Sequence, residues 1–80
     1  MGTKHLIGKR LEVESRVQAV IDRAELTQRE VARRTGLGPQ VISALCTGAV
    51  TNPAHDSVLR LCYVLGCKGE DLFKVKAVTE

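Results

Sequence analysis

The feature that most constrains the fold of this chain is the stretch from Leu26 to Gly48, whose sequence predicts two short helices joined by a tight turn. Thr27 is a favourable N-cap for the first helix, and Glu30 stands where it completes a capping box. Gly36 follows the last turn of that helix. We expect it to adopt the left-handed conformation, which costs other residues energy that glycine avoids.

The second helix of this stretch has start and stop signals of its own. Gly38 is the predicted cap, Pro39 occupies the first helical position, where its missing N–H does no harm, and Gly48 ends the helix. The residues predicted to pack the two helices together are Ala32, Leu37, Ile42 and Leu45. The opposite face of the second helix has no internal partner. A helix held across another in this way suits insertion into a DNA major groove.

The run Leu-Thr-Gln-Arg-Glu-Val-Ala-Arg-Arg-Thr-Gly-Leu, followed by Val-Ile-Ser-Ala-Leu-x-x-Gly, resembles the helix-turn-helix of Cro and phage-repressor-type regulators, the xenobiotic-response-element class. The likeness extends from Arg16 to Val75 and covers most of the chain. It implies an all-α, five-helix, lambda-repressor-like DNA-binding domain with its helix-turn-helix at 27–48. The length allows one domain only, residues 1–80.

The free face of the second motif helix predicts contacts to bases, and the resemblance implies a phosphate contact at Gln28, a position where the family places one. Gln40 lies near the start of that helix, where its amide suits bidentate pairing with adenine; the alternative is an ordinary exposed polar residue. The predicted base contacts are Pro39, Gln40, Val41, Ser43 and Ala44. The predicted phosphate contacts are Thr27, Gln28, Arg29, Arg33 and Thr47.

Two parts of this prediction stay open. The apolar members of the base-contact set suit thymine methyl groups, and they equally suit ordinary surface scatter or a protein interface. Arg29 and Arg33 stand four positions apart on one helix face. They either reach the DNA backbone or pair with Glu25 and Glu30 in a solvated network.

The distribution of charge departs from the resemblance. The chain has twelve Lys and Arg against nine Asp and Glu, a net charge of +3 that is compatible with nucleic acid. Residues 35–55 contain none of these four residue types, whereas many relatives carry a cation or a second Gln on the recognition helix. We therefore expect modest affinity per subunit, a preference for A·T-rich sites and a dependence on dimerisation.

Both ends of the chain alternate apolar and charged residues. The period of two in Lys9–Glu14 and in Phe73–Ala77 predicts a small two-stranded antiparallel sheet that joins the termini. The competing interpretation replaces the N-terminal strand by a helix: the helix that precedes the helix-turn-helix would extend backward through Leu11. Residues 1–8 are predicted to form a flexible arm, in which Lys4 and His5 provide a small basic element or a frayed terminus.

The other helices have simpler signals. A further helix is predicted before the helix-turn-helix. Ser15 is its predicted cap, Gln18 completes a second capping box, and this helix is predicted to end near Glu25. Asn52-Pro53 predicts the start of a fourth helix, which Gly66 ends. Its apolar stripe consists of Val58, Leu61, Cys62 and Leu65. A last helical turn is predicted over Gly69–Phe73, in which Leu72 and Phe73 close the core.

Several classes of function lack a signal. The three cysteines have no metal-ligand spacing and are predicted to be reduced thiols. His5 and His55 have no partner at catalytic spacing, so we predict neither an enzyme nor a bound metal or cofactor. The sequence has no run of membrane length and no signal-peptide pattern, which predicts a cytoplasmic, nucleoid-associated protein.

The sequence thus predicts a sequence-specific double-stranded DNA-binding regulator, a repressor acting as a homodimer on an inverted repeat. The terminal strands and the fourth and fifth helices are the candidate dimer surfaces, with Tyr63 and Val64 exposed on the fourth. The alternative is a protein-interaction module, such as the antitoxin of a toxin–antitoxin pair. In that case the uncharged helix Pro39–Thr47 would dock a protein partner.

Overall fold

Within residues 9–79, five helices and a two-stranded antiparallel sheet build the fold, as the sequence predicts. The computed structural model describes residues 9–79, so the predicted arm with Lys4 and His5 lies outside the described residues. The elements in chain order are β1 (Lys9–Ser15), α1 (Val17–Arg23), α2 (Gln28–Thr35), α3 (Pro39–Thr47), α4 (His55–Leu65), α5 (Gly69–Leu72) and β2 (Phe73–Thr79).

The core lies where α1, α2 and α3 meet the buried residues of α4 and α5. Ile42 and Leu45 of α3 are completely buried, and Ala32 of α2 is 5% exposed. The other buried apolar residues are Val17, Val20, Ile21, Val31, Leu61 and Leu72. Leu37 packs against this cluster from the turn between α2 and α3. The inward-facing residues predicted for the helix-turn-helix are therefore confirmed.

Local signals position α2 and α3 as predicted. The Thr27 hydroxyl accepts a 3.1 Å hydrogen bond from the N–H of Glu30, and Gly36 ends α2 with φ of 78°. Gly38 precedes Pro39 at the start of α3, and Gly48 ends it with φ of 86°. The other half of the predicted capping box is wrong, because the Glu30 carboxylate accepts hydrogen bonds from Arg33 and Arg34 of its own helix and not from the N–H of Thr27.

The predicted cap of α1 is also wrong. Ser15 is the last residue of β1, and Arg16 precedes the helix without a side-chain cap. The Ser15 hydroxyl donates to the carbonyl oxygen of Leu45 at 2.5 Å, and it accepts only a long bond, of 3.4 Å, from the N–H of Val17 at the start of α1. Gln18 bonds to two other side chains described below. The helix ends at Arg23, slightly before the predicted Glu25, which has a left-handed φ of 60°.

The later helices begin or end a little away from their predicted boundaries. Asn52 and Pro53 precede α4 in irregular backbone, but the helix starts at His55 after an extended Ala54. Gly66 ends α4 as predicted, with φ of 66°. Phe73 belongs to β2 and not to α5, although it packs against the core. Phe73 pairs with Ser15 in the sheet, so its backbone is extended and cannot belong to the helical turn.

The terminal strands pair over their whole described length, which excludes a backward extension of α1. Ser15 lies opposite Phe73, Val13 opposite Val75 and Leu11 opposite Ala77. Because neighbouring residues of a strand point to opposite sides, these residues form one apolar face of the ribbon. The opposite face carries Arg10, Glu12 and Glu14 of β1 with Lys74, Lys76 and Val78 of β2.

Candidate nucleic-acid interface

One face of α3 points away from the core and is uncharged. Burial of Ile42 and Leu45 fixes the rotation of the helix about its axis. Among the predicted contacts, Ala44 is half-buried, while the exposed ones on this helix are Pro39, Gln40, Val41, Ser43 and Thr47. The predicted base-contact residues thus all lie on the part of α3 that the core does not bury.

The side chain of Gln40 is exposed in the first turn of α3. Its Oε1 atom would lie 3.4 Å from a Cβ atom at Gly38, which is an ordinary contact distance, so the amide lies next to the backbone at the start of the helix. The amide offers two donors and one acceptor. An exposed carboxamide at a helix start can present a donor and an acceptor side by side, as pairing with an adenine edge requires.

Val41 and Ala44 also line a groove between α3, the following loop and the start of α4. The groove has a volume of about 320 Å³. Its lining is formed by Gln40, Val41, Ala44, Leu45, Val50, Pro53, Ala54 and Ser57. Sequence reasoning missed the contribution of the loop and of α4. No local pattern signals it, because these residues approach α3 only through the tertiary fold.

At the start of α2, Gln28 is held by a chain of side-chain hydrogen bonds. Its Nε2 donates to Oε1 of Gln18 at 2.5 Å, and Nε2 of Gln18 donates to Oδ1 of Asp22 at 2.8 Å. One amide hydrogen of Gln28 and its oxygen remain for another partner. Gln18 is a positioning residue that the sequence did not reveal, since its spacing suggested a capping role.

The arginines of α2 divide into paired and unpaired groups. The Glu30 carboxylate receives hydrogen bonds from Arg33 and, at 2.7 Å, from Nε of Arg34. These bonds, first from Arg33 and then from Arg34, lower the pKa of Glu30 to about 2. The same contact raises the pKa of Arg33. Arg29 is exposed and forms no ion pair with a described residue. Of the two alternatives left open by the sequence, Arg33 therefore adopts the ion pair in the free protein.

Thr27 and Thr47 already use their hydroxyl groups within the chain. Thr27 caps α2, and Thr47 donates to the Ala44 carbonyl oxygen at 3.3 Å. Its oxygen also accepts from the N–H of Ala49 at 3.4 Å. A phosphate oxygen would compete with the Ala44 carbonyl oxygen for the hydroxyl hydrogen of Thr47, whereas the Thr27 hydroxyl only accepts in its local bond and keeps its hydrogen for such an acceptor.

The remaining titratable groups do not assemble into a metal site within residues 9–79. No group of three or more His, Cys, Asp or Glu side chains in this range could hold a metal ion. The three cysteines are free and half-buried. Burial, together with Cys62 and Asp71, raises the pKa of Cys67 to about 11. None of the described helices is long and apolar enough to cross a membrane.

Comparison with known proteins gives two positive results. The family model of the Cro/C1-type helix-turn-helix DNA-binding domain matches residues 16–77. The fold is similar to a crystal structure of a Bacteroides fragilis protein provisionally described as DNA-binding, with a TM-score of 0.70 and 21% sequence identity. That alignment covers 79% of this chain and 100% of the other. No curated protein is similar enough to count as a match.

Proposed function

Because this chain belongs to the Cro/C1-type helix-turn-helix DNA-binding domain family, we propose that it is a transcription regulator whose α3 reads double-stranded DNA in a sequence-specific manner. The observation that carries the proposal is the exposed, uncharged face of α3. Its position is fixed from below by two fully buried side chains and at its C-terminal end by the left-handed Gly48. A rigidly held helix with a free polar and apolar face is what major-groove readout requires.

Each side chain of this surface has a proposed role. Gln40 pairs with adenine, Ser43 bonds a neighbouring base, and Pro39, Val41 and Ala44 contact thymine methyl groups. The phosphate contacts come from Thr27, Gln28, Arg29, Arg33 and Thr47. Arg29 is available in the free protein, whereas Arg33 must leave Glu30 to reach a phosphate. Base recognition therefore depends on neutral contacts, and A·T-rich sites are favoured.

The regulator acts as a homodimer on an inverted repeat, in this proposal. One α3 offers few base contacts, so a second subunit is needed for a site of useful length. Two-fold symmetry in the protein would match half-sites separated by about 34–36 Å, one turn of the duplex. A dimer that covers such a site would exclude other proteins from it, which supports repression as the outcome.

Selection from random duplexes tests the proposal. We expect wild-type protein to enrich A·T-rich inverted repeats, and Gln40→Ala to lose about 1–3 kcal/mol of discrimination at one position of each half-site. Glu70→Ala, an exposed change on α5, is the matched control and should keep the wild-type motif. Failure to enrich any motif in dilute buffer would contradict the proposed function. An unchanged motif for Gln40→Ala would contradict the assignment of that residue.

The groove beside α3 favours one alternative, namely docking of a protein partner. An apolar concavity of about 320 Å³ can accept an apolar side chain of another protein. The two functions differ in their response to salt. DNA binding weakens steeply as salt rises because the release of counterions from DNA into a more concentrated salt solution gains less entropy, whereas apolar docking changes little.

A further inference from the structure

The ribbon formed by β1 and β2 has an apolar face that the helices do not cover. Leu11 is 57% exposed, Val13 41% and Val75 67%. At the base of the same face, Phe73 packs against the helical core. The apolar surface thus continues from the core outward along the ribbon and becomes more exposed with distance from the helices.

The opposite face of the ribbon needs no partner. Glu12 lies across from Lys76 and Glu14 across from Lys74, so opposite charges face each other between the strands. Nζ of Lys76 lies 3.7 Å from Oε1 of Glu14. These groups pair within the chain and stay hydrated. Only the apolar face leaves its surface exposed to water without compensation.

We propose that a second copy of this chain covers the apolar face, with the two ribbons packed face to face about a two-fold axis. The inference rests on the proposed function in requiring a homodimer, and it names the surface that forms it. The part of the face formed by the pairs Leu11–Ala77 and Val13–Val75 presents aliphatic side chains and no charged residue, and Lys9, opposite Thr79, shares the face only at its outer end. This apolar part offers nothing to phosphates or to a charged protein. A two-fold interface must be complementary to itself, and an apolar patch without charges meets that condition.

The size of the face sets the strength of the association. It consists of Leu11, Val13, Val75 and Ala77, which is far fewer than the 20–30 residues that a standard interface takes from each partner, about 800 Å² a side. The free dimer is therefore weak and exchanges with monomer at the concentrations used in solution experiments. Two half-sites on one duplex would bring the ribbons together and strengthen the contact by raising the effective concentration.

Sedimentation equilibrium of the full chain between about 10 μM and about 1 mM tests the interface, a range in which a weak dimer is partly dissociated. We expect wild-type protein to change from monomer to dimer across this range. Val75→Lys places two like charges near the axis and should raise the dissociation constant more than about tenfold. Tyr63→Lys is the matched control, because Tyr63 is 90% exposed on α4, the rival surface. It should leave the equilibrium unchanged.

Val75 is already exposed in the monomer, so its replacement should preserve the circular dichroism spectrum of the folded chain. Should Val75→Lys fail to fold, Val75→Thr retains the β-branched shape and should still weaken the dimer. Wild-type protein that stays monomeric throughout, or a dimer dissociated by Tyr63→Lys and not by Val75→Lys, would overturn the inference.

Binding to duplexes separates this inference from the proposed function. We expect Val75→Lys to bind a duplex with one half-site as wild-type does, and to lose the added affinity for the paired site. A dimer that forms in solution but selects no DNA sequence would contradict the proposed function alone. Equal affinity of the variant and wild type for the paired site would contradict the ribbon interface alone.

Discussion

The hydroxyl group of Ser15 donates a 2.5 Å hydrogen bond to the carbonyl oxygen of Leu45, which joins the end of β1 to α3. Leu45 belongs to the last turn of its helix, where carbonyl groups have no partner within the helix. The bond thus satisfies one of these groups. It also fixes the base of the ribbon relative to the proposed reading helix, so the geometry of a ribbon-mediated dimer would be transmitted to the two α3 helices.

Replacing Ser15 by Ala should therefore lower the free energy of unfolding by about 1–3 kcal/mol, because the partly buried Leu45 carbonyl loses its partner. Urea denaturation followed by circular dichroism would measure this loss. Ser57→Ala, at a half-buried position on α4 with no side-chain hydrogen bond in the described chain, should cost less than Ser15→Ala. Equal stabilities of the two variants would show that the Ser15 bond contributes nothing.

The ion pairs of Glu30 suggest a change that strengthens DNA binding. Glu30→Gln removes the carboxylate that holds Arg33 and Arg34, so both guanidinium groups become available to phosphates. We expect higher affinity and a salt dependence steeper by about one to two in log–log slope, since each added phosphate contact contributes about 0.9. Fluorescence anisotropy at several salt concentrations would measure both quantities.

Glu70→Gln is the control for this experiment, since it removes the same charge from the exposed start of α5. It should change the salt slope less than Glu30→Gln does. Identical slopes for the two variants would mean that the effect of Glu30→Gln comes from net charge and not from release of the arginines.

The same carboxylate predicts a dependence of stability on acidity. Hydrogen bonds from Arg33 and Arg34 lower the pKa of Glu30 from 4.5 to about 2 in the folded chain. The contribution of this carboxylate to the free energy of unfolding is therefore complete above pH 4.5 and decreases as the pH falls toward 2, because Glu30 takes up a proton in the unfolded chain at a higher pH than in the folded chain. The difference in Tm between wild type and Glu30→Gln should shrink over this interval. A difference that stayed constant would contradict the ion-pair account.

Three glycines provide a graded test of backbone strain. Gly36 and Gly48 have φ of 78° and 86°, and a Cβ at Gly36 would also lie 3.3 Å from Nη1 of Arg60. That nitrogen donates to the Thr35 carbonyl oxygen at 2.9 Å, so it cannot move without loss. Gly48→Ala should cost about 1–2 kcal/mol from the left-handed backbone alone, and Gly36→Ala more.

Gly69 completes the series because its backbone is not left-handed and a Cβ there would lie 3.5 Å from Val58, an ordinary contact. Gly69→Ala should thus be nearly neutral. Thermal unfolding of the three variants measures the order. A loss at Gly69 equal to the losses at Gly36 and Gly48 would contradict the account by backbone conformation.

Local signals explain why much of the fold could be predicted. The conformations of Gly36, Gly48 and Gly66, the cap at Thr27 and the alternation of both strands depend on neighbouring residues only. These local features are therefore expected however the helices pack against one another. The exposed face of α3 followed from the same helical spacing, since burial of two residues determines what remains outside.

The failures arise where tertiary contacts compete with local ones. Ser15 is a residue type that commonly caps helices, but its hydroxyl group donates a hydrogen bond to the carbonyl oxygen of Leu45, which is distant in the sequence. Glu30 fits a capping box, but two cations on its own helix attract it more strongly than a neutral N–H. The groove beside α3 and the hydrogen bond between Gln28 and Gln18 each involve residues from separate segments of the chain, so no local sequence pattern predicts them.

Residues 35–55, which contain α3, carry no Lys, Arg, Asp or Glu. If the proposed function holds, the preference for one operator over another would depend on groups that keep their protonation state throughout the physiological range. A cell that altered its ionic composition would then change how many operators are filled without changing which ones.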